Sequence, residues 1–344
     1  MTDGKVLRVG VIGCGFFAEN HLAAWASMDG VTLAAVCDLD ADKVRGAATR
    51  HGAGAAYTDA AEMLRAEKLD LVDIATTMPS HAGLVGLVAG HGLPLIVQKP
   101  LAPSFEDCIG IVDTCRKAGV PMMVHENTRF LTPIRRAKAV IDSGAIGNPT
   151  WARVSFRTGH DIYGKQPYLA REEKFVLLDL GVHMLDTARF LLGDATRLYS
   201  QVESIKPGIA GEDMATTMLR HASGATSVVE CSYASPIHPD PFPELMLQVE
   251  GTAGSLAIGK GYRMTVFSNG VAGEEDVSPA LLPWSTPPWH GTQESVLRVQ
   301  QHFVDCLRTG AEPETSGPDS LKTYGLVFGA YRSARTGEAV APLA

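Results

Sequence analysis

Three short stretches hold residues whose types and spacing suit chemistry. The first, "VGVIGCGFFAENH", sets Gly13, Gly15 and Ala18 in the spacing G-x-G-x-x-A, behind a strand-like run and ahead of a helix-like one. In that context the first glycine makes a tight turn, the second lets the backbone approach a pyrophosphate, and the small third residue lets helix and strand pack closely. The helix N-terminus then meets the anion. Asp38 ends the next apolar run, about 20 residues on, where a carboxylate can accept the ribose hydroxyls. It would repel a 2′-phosphate, and no arginine follows directly in "CDLDADK", so NAD is expected in preference to NADP. The alternative is a plain strand-to-helix turn with a solvated aspartate.

The second stretch, "PLIVQKPLAP", puts Lys99 after an apolar run with a proline directly behind it. A lysine at the end of a buried strand must carry its ammonium to water or hold it in a cleft. Pro100 drives Lys99 out of the helical region and permits a cis bond, which would fix the direction of the side chain. Alone, the stretch equally fits a surface lysine. In the third, "LLDLGVHMLD", Asp179, His183 and Asp186 stand at i, i+4 and i+7, one helix face able to act together. A metal site needs a further ligand that no nearby motif supplies, so none is expected. A core histidine satisfied by its aspartate is the other reading.

These residues need a frame, and the chain provides one. Strand-like runs "KVLRVGVIG", "VTLAAVCD", "LDLVDIAT", "LPLIVQ" and "VPMMVHEN" alternate with helix-length segments, including Phe17 to Met28 and Pro103 to Gly119. The alternation predicts βαβ units, and the continuous apolar strands predict a parallel sheet buried on both faces. From about Thr132 the pattern becomes a helix followed by alternating strands such as "TWARVSFRTG", "TSVVECSYAS" and "ELMLQVEG". The fold class is therefore α/β, a Rossmann dinucleotide-binding domain over residues 1–128 and an α+β domain on an open antiparallel sheet over residues 129–344. Residues 271–292, rich in Pro and Gly, read as a loop.

Composition narrows the partners. With 344 residues, 45% hydrophobic and 20% charged, the chain is long enough for two domains, and a net charge of −8 without a basic run argues against nucleic acid or an anionic membrane as partner. A small molecule fits better. Six scattered cysteines without a CxxC pair suggest reduced thiols and a cytoplasmic protein. The start "MTDGKVLRVGVIG", with Asp3 early, is unlike a signal peptide.

Taken in order, the glycine turn, "DIATTMPSH", "VQKPLA", "ENTRF", "LLDLGVHMLD" and "TSGPDSLKTYGLVFGAYRSARTG" resemble the Gfo/Idh/MocA oxidoreductases over essentially the whole chain. The resemblance implies a Rossmann domain joined to an open-faced sheet domain, and NAD(P)-dependent oxidation of CH–OH groups. It implies a cis proline after Lys99, with Lys99 beside nicotinamide and substrate, and it gives Asp179 and His183 the roles of substrate-positioning carboxylate and acid/base. Expected cofactor contacts are Gly13, Gly15, Phe16, Phe17, Asp38, Thr76, His81, Gln98 and Lys99. Gln98 stands where the family's usual residue is glutamate, and Lys174 and Phe175 where many members have glycines, crowding the substrate side. Asn127, Arg129, Arg157, His160, Asp161 and Tyr163, with Asp179 and His183, are the candidates for the substrate side, and such a set suits a sugar or polyol. The "VQKP" and "HEN" variants look like the aldose dehydrogenases of the family, apiose-type enzymes included. Some relatives are NAD-dependent glycosidases acting by transient oxidation and elimination, and others are catalytically silent regulators; retention of Lys99, Asp179 and His183 argues against the silent class. A homodimer or homotetramer is implied by the open sheet. NAD should bind at least about tenfold more tightly than NADP, a difference of roughly 1.4 kcal/mol, and Asp38→Ser should narrow it. Titration of both dinucleotides checks this, and equal affinities would contradict it.

Overall fold

The structure, a computed structural model, describes residues 4–344, so Asp3 lies outside the described residues. The chain divides into two compact units. One runs to Asn127 and includes Gln293–Leu321; the other joins Thr128–Thr292 to Lys322–Ala344. The single boundary read from sequence after residue 128 thus misses a returning segment. Its apolar residues Val296, Val299, Phe303 and Val304 are wholly buried, and the Val124 amide donates to the Thr315 carbonyl at 2.9 Å.

In the first unit the elements alternate as β1 (Leu7–Ile12), α1 (Ala18–Ser27), β2 (Val31–Cys37), α2 (Ala41–His51), β3 (Ala55–Tyr57), α3 (Ala60–Ala66), β4 (Leu71–Ile74), α4 (His81–Gly90), β5 (Leu95–Gln98), α5 (Phe105–Ala118) and β6 (Met122–His125). All strand pairs are parallel, in the order β3-β2-β1-β4-β5-β6, the doubly wound arrangement whose order reverses between β1 and β4. Val9, Val11, Val36, Ile74 and Val97 are buried to 4% exposure or less, as a sheet covered on both faces demands. Capping sets the helix ends. Ser104 accepts from the Asp107 amide to start α5, and Gly119 at φ 68° ends it in the left-handed region.

The second unit contains α6 (Thr132–Asp142), β7 (Pro149–Arg157), a π-helical turn (Leu177–Gly181) running into α7 (Val182–Leu192), then β8 (Ala195–Glu203), β9 (Met214–His221), β10 (Thr226–Ser232), β11 (Met246–Gly251), β12 (Gly254–Gly259), β13 (Arg263–Ser268) and β14 (Val271–Asp276). The last helices, α8 (His290–Thr309) and α9 (Gly317–Thr336), contribute to both units. The sheet order is β14-β13-β12-β11-β7-β10-β9-β8, antiparallel except for the parallel pair β7 and β10. Residues 271–276 are therefore an edge strand rather than the loop expected from composition. Its carboxylates face Arg263, with Glu274 at 3.3 Å and Asp276 at 3.9 Å, and such charges protect an edge from further pairing. Among the described residues no helix is long and apolar enough to cross a membrane.

Candidate functional site

The first unit gathers its candidate residues at one edge of the sheet, because the parallel strands all end there. Gly13 follows β1 with φ 110°, and a Cβ on it would stand 2.5 Å from the Ala75 carbonyl oxygen. Only glycine is accommodated. A Cβ on Gly15 would meet nothing within 4 Å, so that side of the turn is open. Phe17, at the N-cap of α1, gives no side-chain hydrogen bond to the helix amides and packs edge-on against His21, while Phe16 is 53% exposed. Those uncapped amides suit an anion. Asp38 accepts from the Cys14 amide at 2.8 Å through Oδ2 and from the Asp40 amide at 3.0 Å through Oδ1. Each oxygen keeps a lone pair for a further donor. The open turn, the uncapped helix and the fixed carboxylate fit a dinucleotide.

After β4, Thr76 Oγ1 pairs with Ser80 Oγ at 2.7 Å. Lys99 follows β5 and stands half-buried on a cis Lys99–Pro100 bond, as the sequence resemblance implies. His81 and Gln98 are different. His81 is wholly buried, its Nδ1 3.0 Å from the Leu101 carbonyl and its Nε2 3.1 Å from that of Thr76, and burial lowers its pKa. It ties the chain after β4 to the chain after Pro100 and presents no ring nitrogen outward. Gln98 is 7% exposed and spends both amide atoms internally, on the Lys99 amide at 2.6 Å and on His21 at 2.9 Å. Asn127, expected on the substrate side, is 5% exposed and donates to Ser295 Oγ at 2.7 Å. Each corrects the sequence expectation in the same way, because a polar residue expected to face a ligand is here turned inward.

In the second unit, Asp179 sits on the π turn. Buried Glu212 holds the start of that turn, accepting from the amide of Phe175 at 3.2 Å, from that of Leu177 at 3.0 Å and from the Tyr331 hydroxyl at 2.7 Å. Tyr233 donates to Asp179 Oδ2 at 3.3 Å, and burial together with the Asp179 charge raises its phenol well above the ordinary value. Burial and Asp179 also push Tyr168 up to about 12. Asp179 and His183 are half-buried. Asp186 is not their companion. It is 2% exposed and paired with Arg129, Nε to Oδ2 at 2.8 Å and Nη2 to Oδ1 at 2.6 Å, with the Thr323 hydroxyl donating at 2.8 Å. Arg129 is 5% exposed, so both members of this pair belong to the interior, not to a substrate surface.

The remaining candidates lie at or after the end of β7. Arg157 is half-buried with Nη2 3.4 Å from the Met214 sulfur. Asp161 accepts from the Tyr163 amide, and the Tyr163 ring lies 5.8 Å from Phe175 under the Lys206 ammonium at 5.1 Å. Burial, with Asp213 and Asp161, pushes the Tyr163 phenol up to about 12. His160 stacks on Phe242 at 4.0 Å, Trp289 meets Phe242 edge-on at 5.1 Å, and these rings with Lys165 and Asp240 wall a cavity of about 470 Å³. Phe175 does not crowd an open side: it is 1% exposed and stacked 5.7 Å from Tyr233. Lys174 is exposed and holds its ammonium 5.4 Å over the Phe328 ring. Sequence reasoning missed Glu212, Tyr233 and the rings after β10. The only signal for Glu212 was a carboxylate just ahead of an alternating strand, and for Tyr233 an aromatic residue directly behind one.

A nucleotide-binding parallel sheet with a lysine at its carboxyl edge, together with a sheet unit bearing an Asp–His pair, defines an NAD-dependent oxidoreductase of two parts. The family described as "Oxidoreductase family, NAD-binding Rossmann fold" matches residues 7–126, and "GFO/IDH/MocA C-terminal domain" matches residues 134–257. The chain belongs to the GFO/IDH/MocA oxidoreductase family. It is 47% identical over 334 residues to D-apiose dehydrogenase of Rhizobium rhizogenes, covering 97% of each chain, and 47% identical over 339 residues to D-apiose dehydrogenase of Paraburkholderia graminis, covering 98% of this chain and 90% of that one. An oxidoreductase from Agrobacterium radiobacter, solved in complex with NAD+, L-tartaric acid and magnesium, is 46% identical with a TM-score of 0.96 and 98% of each chain covered. Among the described residues, no group of three or more His, Cys, Asp or Glu side chains is placed to hold a metal ion.

The Arg129–Asp186 pair makes a prediction about stability. Burial alone would raise the Asp186 carboxyl, but the Arg129 guanidinium, aided by Arg189 and Thr323, holds it below the usual carboxylate range. Asp186→Ala should therefore cost about 3–5 kcal/mol at neutral pH by leaving a buried guanidinium unpaired. A depressed pKa contributes stability above the unfolded value of about 3.9 and loses it as pH falls through the folded value, so the gap between the two proteins should begin to narrow only below about pH 4 and close at still lower pH. Denaturant unfolding across pH checks both, and a loss under about 1 kcal/mol at neutral pH would contradict the pairing.

Proposed function

We propose that the protein oxidises a hydroxyl group of an aldose, with D-apiose the first substrate to try, by hydride transfer to NAD. The observation that carries this reading is the placement of Lys99 at the carboxyl edge of the same parallel sheet that carries the Gly13 turn and Asp38, on both sides of the order reversal where ligands of such sheets bind. The 47% identity to two D-apiose dehydrogenases over nearly the whole chain supports the substrate class.

Gly13, Gly15 and the first turn of α1 would hold the pyrophosphate, Asp38 the adenosine ribose hydroxyls, and Phe16, Phe17 and Thr76 the adjoining parts of the dinucleotide. NAD, when bound, supplies the hydride acceptor. The Lys99 ammonium donates to the reacting hydroxyl oxygen and stabilises the negative charge that develops there. His183 takes the hydroxyl proton as general base, and Asp179, fixed by Tyr233 and by the turn that Glu212 secures, positions the sugar. The carbinol carbon thereby becomes a carbonyl. The stacked His160 and Phe242, with Trp289, offer apolar faces to the C–H surfaces of a sugar, and Arg157 and Tyr163 offer polar contacts.

The cellular setting belongs to the same proposal. All six cysteines are free and buried, which suits a reducing cytoplasm, and Met218 and Phe267, 50% and 46% exposed on the second unit's sheet, suit a face that joins copies into a homodimer or homotetramer. Lys99→Ala and His183→Ala should each lower turnover by about 10² or more and leave NAD affinity within a few-fold, because both act on the substrate oxygen. Steady-state NADH formation from a panel of aldoses and polyols checks this. Near-normal turnover of His183→Ala would place the base elsewhere.

A further inference from the structure

Behind Lys99, in the interior of the first unit, lies a chain of polar side chains with no place in the hydride-transfer scheme. Asp73, on β4, is wholly buried, and its Oδ2 lies 2.7 Å from Trp25 Nε1, 2.8 Å from His21 Nδ1 and 3.3 Å from Gln300 Nε2. His21 Nε2 lies 2.9 Å from Gln98 Nε2, and Gln98 Oε1 accepts from the Lys99 amide at 2.6 Å. The His125 ring stacks on that of His21 at 3.9 Å. His21, Asp73 and His125 are all 0% exposed.

The polarity of this chain is fixed from both ends. An indole N–H only donates, so Asp73 Oδ2 accepts from Trp25, and Asp73 Oδ1 has no hydrogen-bond partner among the described residues to which a proton could be directed. The carboxylate is then an acceptor throughout, and His21 Nδ1 donates to it. At the other end a backbone amide also only donates, so the Gln98 atom facing Lys99 is the oxygen and the atom facing His21 is the NH2 group. His21 Nε2 must accept. We infer that Asp73, His21 and Gln98 form a hydrogen-bond relay of set direction that positions the backbone of Lys99, and that the side chain at 98 has to be an amide, because it must donate to His21 and accept from Lys99 at once. This rests on the reading of Lys99 as the group that meets the substrate oxygen. His21 and Gln98 are positioning residues that act through Lys99.

A carboxylate at 98 has no donor. In Gln98→Glu the Lys99 amide keeps its acceptor, but His21 Nε2 then faces an oxygen and can pair with it only by taking up a second proton between Asp73 and the new carboxylate, beside His125. The test uses the NAD-loaded enzyme with nitrogen-15-labelled histidine. In wild type, His21 should carry its proton on Nδ1 and none on Nε2; in Gln98→Glu it should carry both at neutral pH. Turnover of Gln98→Glu should fall at least about tenfold, whereas in a Lys99→Ala background the same change should cost less than about twofold, the non-additivity expected of residues acting through one another. A wild-type His21 protonated on Nε2 would overturn the relay even if Gln98→Glu did not fold, and so would an equal loss in both backgrounds. Lys99→Ala turning over sugar at the wild-type rate would instead overturn the reading of Lys99, and the histidine spectrum would still decide the direction of the chain.

Discussion

A carboxylate removed from water must be surrounded by donors, and that requirement organises both units of this protein. Asp73 collects an indole, an imidazole and an amide; Asp186 collects Arg129 and Thr323; Glu212 collects two backbone amides and a phenol. In each case the partners come from more than one element, so satisfying one charge fixes several chain segments at once. Glu212 shows the consequence most directly, since the amides it accepts introduce the π turn that presents Asp179. Asp179 and His183 remain half-buried, and the turn that carries Asp179 starts on backbone amides that Glu212 accepts from.

Much of this was legible in the sequence where backbone conformation dictates residue type. Gly13 needs a positive φ and has no room for a Cβ, so the glycine turn announces itself. Asp38 follows its strand, and β1, β2 and β5 keep the apolar continuity of a doubly buried sheet. The Lys99–Pro100 pair carried its meaning through the family resemblance. What spacing does not encode is which way a polar residue at a strand end faces. Asn127, Arg129 and Gln98 lie at or just after apolar runs, and His81 opens the helix after one, yet each is turned inward to a specific partner. Asp186 shares the helical spacing of Asp179 and His183 but belongs to Arg129, a partner 57 residues away that no local pattern reveals. Asp73, an acid within an apolar strand, passed unread because its partners on α1 and α8 lie far from it in the chain.

In the proposed reaction the two units divide the chemical work. The first offers an open, uncapped helix start and a fixed carboxylate, which suit binding; its lysine stands at the edge of that arrangement. The second offers an ionisable Asp–His pair and an aromatic-walled cavity, which suit a polyhydroxylated substrate with apolar C–H faces. Family membership and the 47% identity to D-apiose dehydrogenases join these into one reaction, oxidation of a sugar carbinol.

The most direct measurement follows the hydrogen itself. D-Apiose bearing deuterium on the carbon to be oxidised is incubated with the enzyme and NAD, and both products are read by mass spectrometry. The account predicts one deuterium per NADH formed and a carbonyl product that has lost it. NADH without deuterium, or a sugar converted while NAD stays bound and is regenerated in each cycle, would contradict hydride transfer as the net reaction and favour the oxidation–elimination chemistry of the glycosidases.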